Sequence, residues 1–119
     1  MEHLSRRVSH GIDVLLVVSD ANPAALRAAG RITRMADALE LHIARRFLVL
    51  NNLRGELASR THDEIATTGL EVLGHIGFDE QVFESNQAGH TVRDLPVDTT
   101  ALARVSELVD RLLEKEENR

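Results

Sequence analysis

Hydrophobic and polar positions divide this chain into alternating short apolar runs and longer amphipathic stretches. The first run, Ile12-Asp13-Val14-Leu15-Leu16-Val17-Val18-Ser19-Asp20, has six apolar residues in its first seven, four of them β-branched. A continuous run of this kind predicts a strand buried on both faces, as in parallel sheets covered by helices. It stops at Ser-Asp-Ala-Asn-Pro, where Asn22 suits an N-cap and Pro23 a first helical position. A helix is predicted from Pro23 to about Leu41. Its buried stripe is read as Leu26, Ala29, Ile32, Met35 or Ala36, and Leu39, with Arg27, Arg31 and Arg34 opposite. Gly30 within it is read as a close approach to the sheet.

Phe47-Leu48-Val49-Leu50 is a second strand ending at Asn51-Asn52, so the first helix becomes the crossover of a right-handed βαβ unit. Arg54 to Thr61 reads as a polar connection, and His62 to Thr68 as a short helix closed by Gly69. Glu71 to Ile76 is a third, weaker strand, stopping at Gly77-Phe78-Asp79. Asp79 is placed to cap a helix through about Asn86 that ends near Gly89, before a loop from His90 to Val97. Asp98 is expected to cap a last helix with Leu102, Val105, Leu108 or Val109, and Leu112 inward, and the tail from Glu114 to frayed Arg119 is charged. Met1 to Gly11 carries little pattern.

The order predicts an α/β fold, a three-layer parallel sheet of about three strands flanked by about four helices, within one domain over residues 1–119. Three strands are few for a doubly wound domain, and the first would make a poor exposed edge. The chain therefore reads as part of a larger domain, with something covering that strand.

Composition narrows the function classes. Aromatics make up 3% of the 119 residues and the net charge is −5, which argues against a nucleic-acid groove built from cations and stacking rings. Cysteine is absent, which excludes disulfides, thiol catalysis and thiolate metal sites. No apolar run approaches the roughly 20 residues of a membrane span, and the N-terminus lacks the apolar segment of a signal peptide. The expectation is a cytoplasmic protein.

In open α/β sheets ligands gather at the carboxyl ends of the strands. Here those ends are Ser19-Asp20, Asn51-Asn52 and Gly77-Phe78-Asp79. Asparagine pairs a donor with an acceptor, as the edge of a purine requires. Helix capping by Asp20, Asn22 and Asp79 is the competing reading. No phosphate-binding loop of the Gly-x-x-x-x-Gly-Lys-Ser/Thr type occurs, nor Gly-x-Gly-x-x-Gly, and Lys115 stands alone in the tail. The six histidines lack helical metal-pair spacing, and no serine has a nucleophile-elbow context. An acidic pair and lysine placed as in a phospho-accepting receiver domain are also missing.

The series Glu2-His3-Leu4-Ser5-Arg6, Asp13 through Asp20, Leu26-x4-Arg31-Ile32, Val49-Leu50-Asn51 and Leu73-Gly74-His75-Ile76-Gly77-Phe78-Asp79 resembles one family over nearly the whole chain. That family is the carbon monoxide dehydrogenase maturation ATPases, nickel-insertion accessory proteins of the deviant Walker A P-loop class, and the likeness is to their C-terminal half. The resemblance implies a role for Asn51, with Asn52 beside it, at the adenine base, and for Ser19, Asp20, Gly77, Phe78 and Asp79 around the nucleotide. It puts Glu2 and His3 in the switch region sensing the γ-phosphate. It implies ATP and magnesium as cofactors of a full-length parent, a missing N-terminal half or second copy as partner, a homodimer, and carbon monoxide dehydrogenase as client.

This chain departs from the family at Asn52, where Lys or Arg is usual, at Gly77-Phe78 in place of Pro-Tyr, and at Arg7-Val8 in place of Gly-Thr. Lacking the phosphate loop and its metal aspartate, the 119 residues are expected neither to hydrolyse ATP nor to bind it tightly alone. A non-catalytic α/β module pairing through its first-strand edge is the alternative.

Overall fold

The computed structural model describes residues 11–96 and 98–117. Three strands, β1 (Ile12–Asp20), β2 (Ile43–Leu53) and β3 (Glu71–Gly77), form one parallel sheet in the order β1-β2-β3. Helices α1 (Pro23–Ala38) and α2 (Ser59–Thr68) make the two crossovers; α3 (Glu80–Gln87), a 3-10 turn at Val92–Asp94 and α4 (Thr100–Glu117) follow. The predicted α/β three-layer parallel fold is the one observed.

The sheet is apolar on both faces because β2 lies between two cores. Leu48 and Leu50 pack with Val17, Leu26, Ala29 and Leu70 beneath α1 and α2. Phe47 and Val49 pack with Leu73 and Leu108 beneath α4. At 0% exposure, Leu48 is completely enclosed, and Phe47 is nearly so. Consecutive residues buried on opposite faces produce the unbroken apolar run in the sequence.

Several boundaries and faces differ from the sequence reading. β2 begins at Ile43 rather than Phe47, because its arginines pack along neighbouring elements instead of entering solvent. Arg46 donates to Thr33 Oγ1 (2.6 Å) and pairs with Asp37 at the end of α1, while the Arg45 guanidinium sits 5.0 Å from the Phe47 ring centre. The Arg46 hydrogen bond holds the exposed Asp37 carboxyl below its ordinary pKa.

Helix α1 stops at Ala38, short of Leu41. Glu40 takes a left-handed conformation (φ 56°), and the Glu40 and Leu41 amides donate back to the Asp37 and Ala36 carbonyls. This is a Schellman ending without the usual glycine. The buried stripe of α1 is rotated from the one expected: Leu26, Ala29, Gly30, Thr33 and Ala36 face inward, while Ile32, Met35 and Leu39 are exposed. Small side chains let the helix sit close to its neighbours. Gly30 lines the crevice against Glu64, Thr67 and Thr68 of α2, not the sheet.

Helix α2 starts three residues earlier than expected, at Ser59. At the C-terminal end, Leu108 rather than Val109 is the buried residue, and α4 continues through Glu117 where a frayed tail was expected. Thr99, not Asp98, precedes the first turn of α4: its carbonyl accepts from the Ala103 amide, and its buried hydroxyl donates to the Pro96 carbonyl (2.6 Å).

The packing of α4 on β3 depends on Gly74. A Cβ there would overlap Leu108 Cδ2 and crowd the guanidinium groups of Arg104 and Arg111 at 3.1 and 3.3 Å. Those same arginines reach past it to the strand. Arg104 Nε donates to the His75 carbonyl (2.7 Å) and Arg111 Nη1 to the Leu73 carbonyl (2.8 Å).

Candidate functional site

All three strands are parallel, so their carboxyl ends share one edge of the sheet. A cleft of about 380 Å³ opens there, lined by Asp20, Ala21 and Asn22 at and after the end of β1, Asn52 and Arg54 at the end of β2, Phe78 and Asp79 between β3 and α3, and Val82, Phe83 and Asn86 on α3. Its volume suits a small organic ligand.

The floor is built by an irregularity in β2. Between the Leu50–His75 and Leu53–Gly77 pairings, β2 spans one residue more than β3. The extra residue is accommodated where Asn52 adopts φ 51°, a left-handed conformation that asparagine tolerates better than most side chains. The bulge aims Asn52 across the rim, where its Nδ2 donates to Asp20 Oδ1 (3.3 Å). The Phe78 amide then donates to the Leu53 carbonyl (2.9 Å), joining the ends of β2 and β3.

One wall is aromatic and cationic. Arg54 Cζ lies 3.8 Å from the centre of the Phe78 ring, and Phe78 meets Phe83 at 5.8 Å with the planes inclined at 52°. Two of the chain's three phenylalanines are thus gathered at this one cleft. Stacked guanidinium and aromatic planes offer a flat, polarisable surface for a heterocycle.

The carboxylates are largely committed. Asp79 Oδ1 accepts from the Gln81 (2.8 Å) and Val82 (3.3 Å) amides at the start of α3, and its Oδ2 accepts from the Ala101 amide (2.8 Å) at the start of α4. One side chain therefore caps two helices. Asn22 Oδ1 likewise accepts from the Ala25 amide (2.9 Å) to cap α1. Capping accounts for Asn22 and Asp79; Asp20 instead bonds to Asn52.

Of the residues singled out from sequence, Asp20, Asn52, Phe78 and Asp79 line the cleft together. Three do not. Asn51 is half-buried at the last position where β2 pairs with β1, opposite Asp20. The Ser19 hydroxyl is buried and donates to the Asp20 carbonyl (2.9 Å). Gly77 pairs with Leu53 at the end of β3. Glu2 and His3 lie outside the described residues. Arg54, Phe83 and Asn86 were not picked out from sequence; the scarcity of aromatics was the signal that could have directed attention to Phe83.

The cleft suits the uncharged end of a nucleotide better than its phosphates. Asp20 and Asp79 are acidic, Arg54 is the lining cation, and Lys115 lies on α4, where it pairs with Glu71. Among the described residues, no three His, Asp or Glu side chains gather to hold a metal ion. Among the described residues, those lining the cleft do not fit magnesium or the phosphates.

The architecture matches that of the MinD cell division protein of Aquifex aeolicus, with a TM-score of 0.64 at 16% identity, over 86% of this chain and 44% of that one. At this identity the likeness is one of fold. By sequence the chain is 27% identical over 115 residues to the uncharacterized ATP-binding protein MJ0685 of Methanocaldococcus jannaschii, covering 97% of this chain and 46% of the relative. It is 26% identical over 114 residues to MJ0823 of the same organism, also an uncharacterized ATP-binding protein, covering 95% of this chain and 42% of the relative. No protein-family profile matches the chain. The chain thus spans less than half the length of the curated relatives it matches. Among the described residues no helix is long and apolar enough to cross a membrane.

Proposed function

We propose that this chain supplies the base-binding side of an ATP-binding P-loop protein, with the phosphates and magnesium held by a segment outside these 119 residues. The observation that carries the reading is the Arg54–Phe78 stack beside the Asn52–Asp20 pair, in a cleft at the carboxyl edge of a parallel sheet. An adenine laid against the stack would present its edge to asparagine side chains. Asn51, one residue inside the rim, and the turns bearing Ser19 and Gly77 would shape the pocket from behind. The two ATP-binding relatives support the same ligand class.

Phosphoryl transfer depends on positioning and charge neutralisation by a phosphate loop and metal. Residues 1–119 alone therefore turn over no ATP and bind it weakly. The test is calorimetry with magnesium-ATP and with adenosine on the protein as its genome encodes it. Saturable binding of both is expected, weakened about tenfold (about 1.4 kcal/mol) by Arg54→Ala. Binding of neither, or ATP binding untouched by both Arg54→Ala and Asn52→Ala, would remove the cleft from consideration.

The finer reading is a homodimeric metallochaperone ATPase that assists nickel insertion into carbon monoxide dehydrogenase. It is supported by the resemblance carried by Glu2-His3-Leu4-Ser5-Arg6 and the strand-end motifs, with Glu2 and His3 in the switch region. Its check is the nickel content of carbon monoxide dehydrogenase from cells lacking this gene, which should fall; an unchanged content refutes it. A second reading, a non-catalytic module, is favoured by the apolar side chains exposed along β1. It predicts normal partner binding with no nucleotide bound in any context.

A further inference from the structure

Two carboxylates line the cleft, and they are used differently. Asp79 commits both oxygens to helix amides, and the cap of α1 is Asn22. Among the described residues, Asp20 takes a single side-chain hydrogen bond, from Asn52 Nδ2 to its Oδ1 (3.3 Å), and its Oδ2 takes none. A carboxylate has about four acceptor positions and no donor, so Asp20 turns an unused acceptor surface toward the cleft. Its backbone is held in place. The Asp20 carbonyl accepts from the Asn22 amide (3.0 Å) and from the Ser19 hydroxyl (2.9 Å).

The rim has an order along the sheet. The stacking wall of Phe78 and Phe83 follows β3, and the Asn52–Asp20 pair joins the ends of β2 and β1. Neighbouring strands lie about 4.8 Å apart, which separates β1 from β3 by about 10 Å. A base stacked at the β3 side leaves Asp20 to the next unit of the molecule. In a nucleotide that unit is the sugar, whose two adjacent hydroxyls are donors for an acceptor-only group. A phosphate would meet like charge at Asp20, and no third acidic or histidine side chain joins Asp20 and Asp79 to hold a cation among the described residues. In other open α/β sheets an acidic residue near the rim also takes a ribose hydroxyl.

We propose that Asp20 reads the sugar: its carboxylate accepts from the 2′- and 3′-hydroxyls of the bound nucleotide, so that the cleft selects ribonucleotides over deoxyribonucleotides. The inference rests on the base-binding reading and adds a specificity to it. Asn52 fixes one oxygen of the carboxylate from behind, and the Ser19 and Asn22 bonds fix its backbone, so little ordering remains to be done when the hydroxyls arrive. The charge on Asp20 makes these hydrogen bonds stronger than neutral ones.

The experiment titrates ATP, 2′-deoxyATP and 3′-deoxyATP, each with magnesium, into the protein as its genome encodes it and into its Asp20→Ala, Asp20→Asn and Arg54→Ala variants. Each deoxy analogue is expected to bind about tenfold more weakly than ATP, the factor that one hydrogen bond to a charged group supplies. In Asp20→Ala the three nucleotides converge on one affinity, and in Asp20→Asn, which keeps the shape without the charge, the preference shrinks. In Arg54→Ala all three weaken together and the preference for ATP is kept. Equal binding of the three to the unsubstituted protein, or a preference for ATP that survives Asp20→Ala undiminished, would overturn the proposal. If Arg54→Ala still weakened all three, the base-binding reading would stand without it. Binding of none of the three would remove both.

Discussion

The two edges of this sheet are finished in different ways. At the β3 edge, α4 lies close because Gly74 has no side chain, and Arg104 and Arg111 donate to the carbonyls of His75 and Leu73. Cationic side chains placed over strand carbonyls are a familiar way to blunt an edge. At the β1 edge, among the described residues, no helix side chain hydrogen-bonds to the strand backbone, and Leu16 and Val18 face outward. The sequence of β1 resembles that of the central strand more than that of the blunted edge. A strand with the composition of a sheet interior thus stands at the margin of the described sheet.

That contrast can be broken at several points. The largest effect belongs to β2, enclosed between both cores. Leu48→Ala should cost about 2–5 kcal/mol, read as a lowered urea midpoint, since Leu48 has no exposed surface. Next is the finished edge: Gly74→Val forces a branched side chain into Leu108 and should cost about 1–3 kcal/mol by the same measurement. Arg111→Met keeps most of the apolar stem but removes the donor to the Leu73 carbonyl, for a loss of about 1 kcal/mol. The open edge should respond least. Val18→Ser in the isolated chain should shift stability by no more than about 0.5 kcal/mol. A loss of 2 kcal/mol there would mean that β1 is already covered in the chain by itself, and the contrast between the edges would disappear.

The fold was legible because its strands are continuous apolar runs ended by turn formers, and because Asn22-Pro23 and Asp79 mark helix starts that the structure confirms. The buried face of α1 was not. Ile32, Met35 and Leu39 fit a core stripe by size and spacing, yet the helix turns Ala29, Gly30, Thr33 and Ala36 inward. Large residues at core-like spacing belong here to an exposed surface. The early start of β2 was hidden by Arg45 and Arg46, whose polar ends conceal long apolar stems.

The strand-end rule points to the edge where the cleft opens, and Asp20, Asn52, Phe78 and Asp79 line it. Strict alternation along β2 gave no reason to prefer Asn52 over Asn51, because a bulge is a departure from alternation. Arg54 belongs to a stretch whose composition reads only as a polar connection. Its partner Phe78 is distant in sequence, and only the pairing of β2 with β3 brings the two into register.

The carboxylate of Asp79 has a mechanical consequence. One oxygen answers to the start of α3 and the other to the start of α4. The wall of the cleft and the long helix α4 are therefore tied through a single side chain. Neither can swing outward without loosening the other's first turn, so whatever steadies the wall also steadies the helix that seals β3.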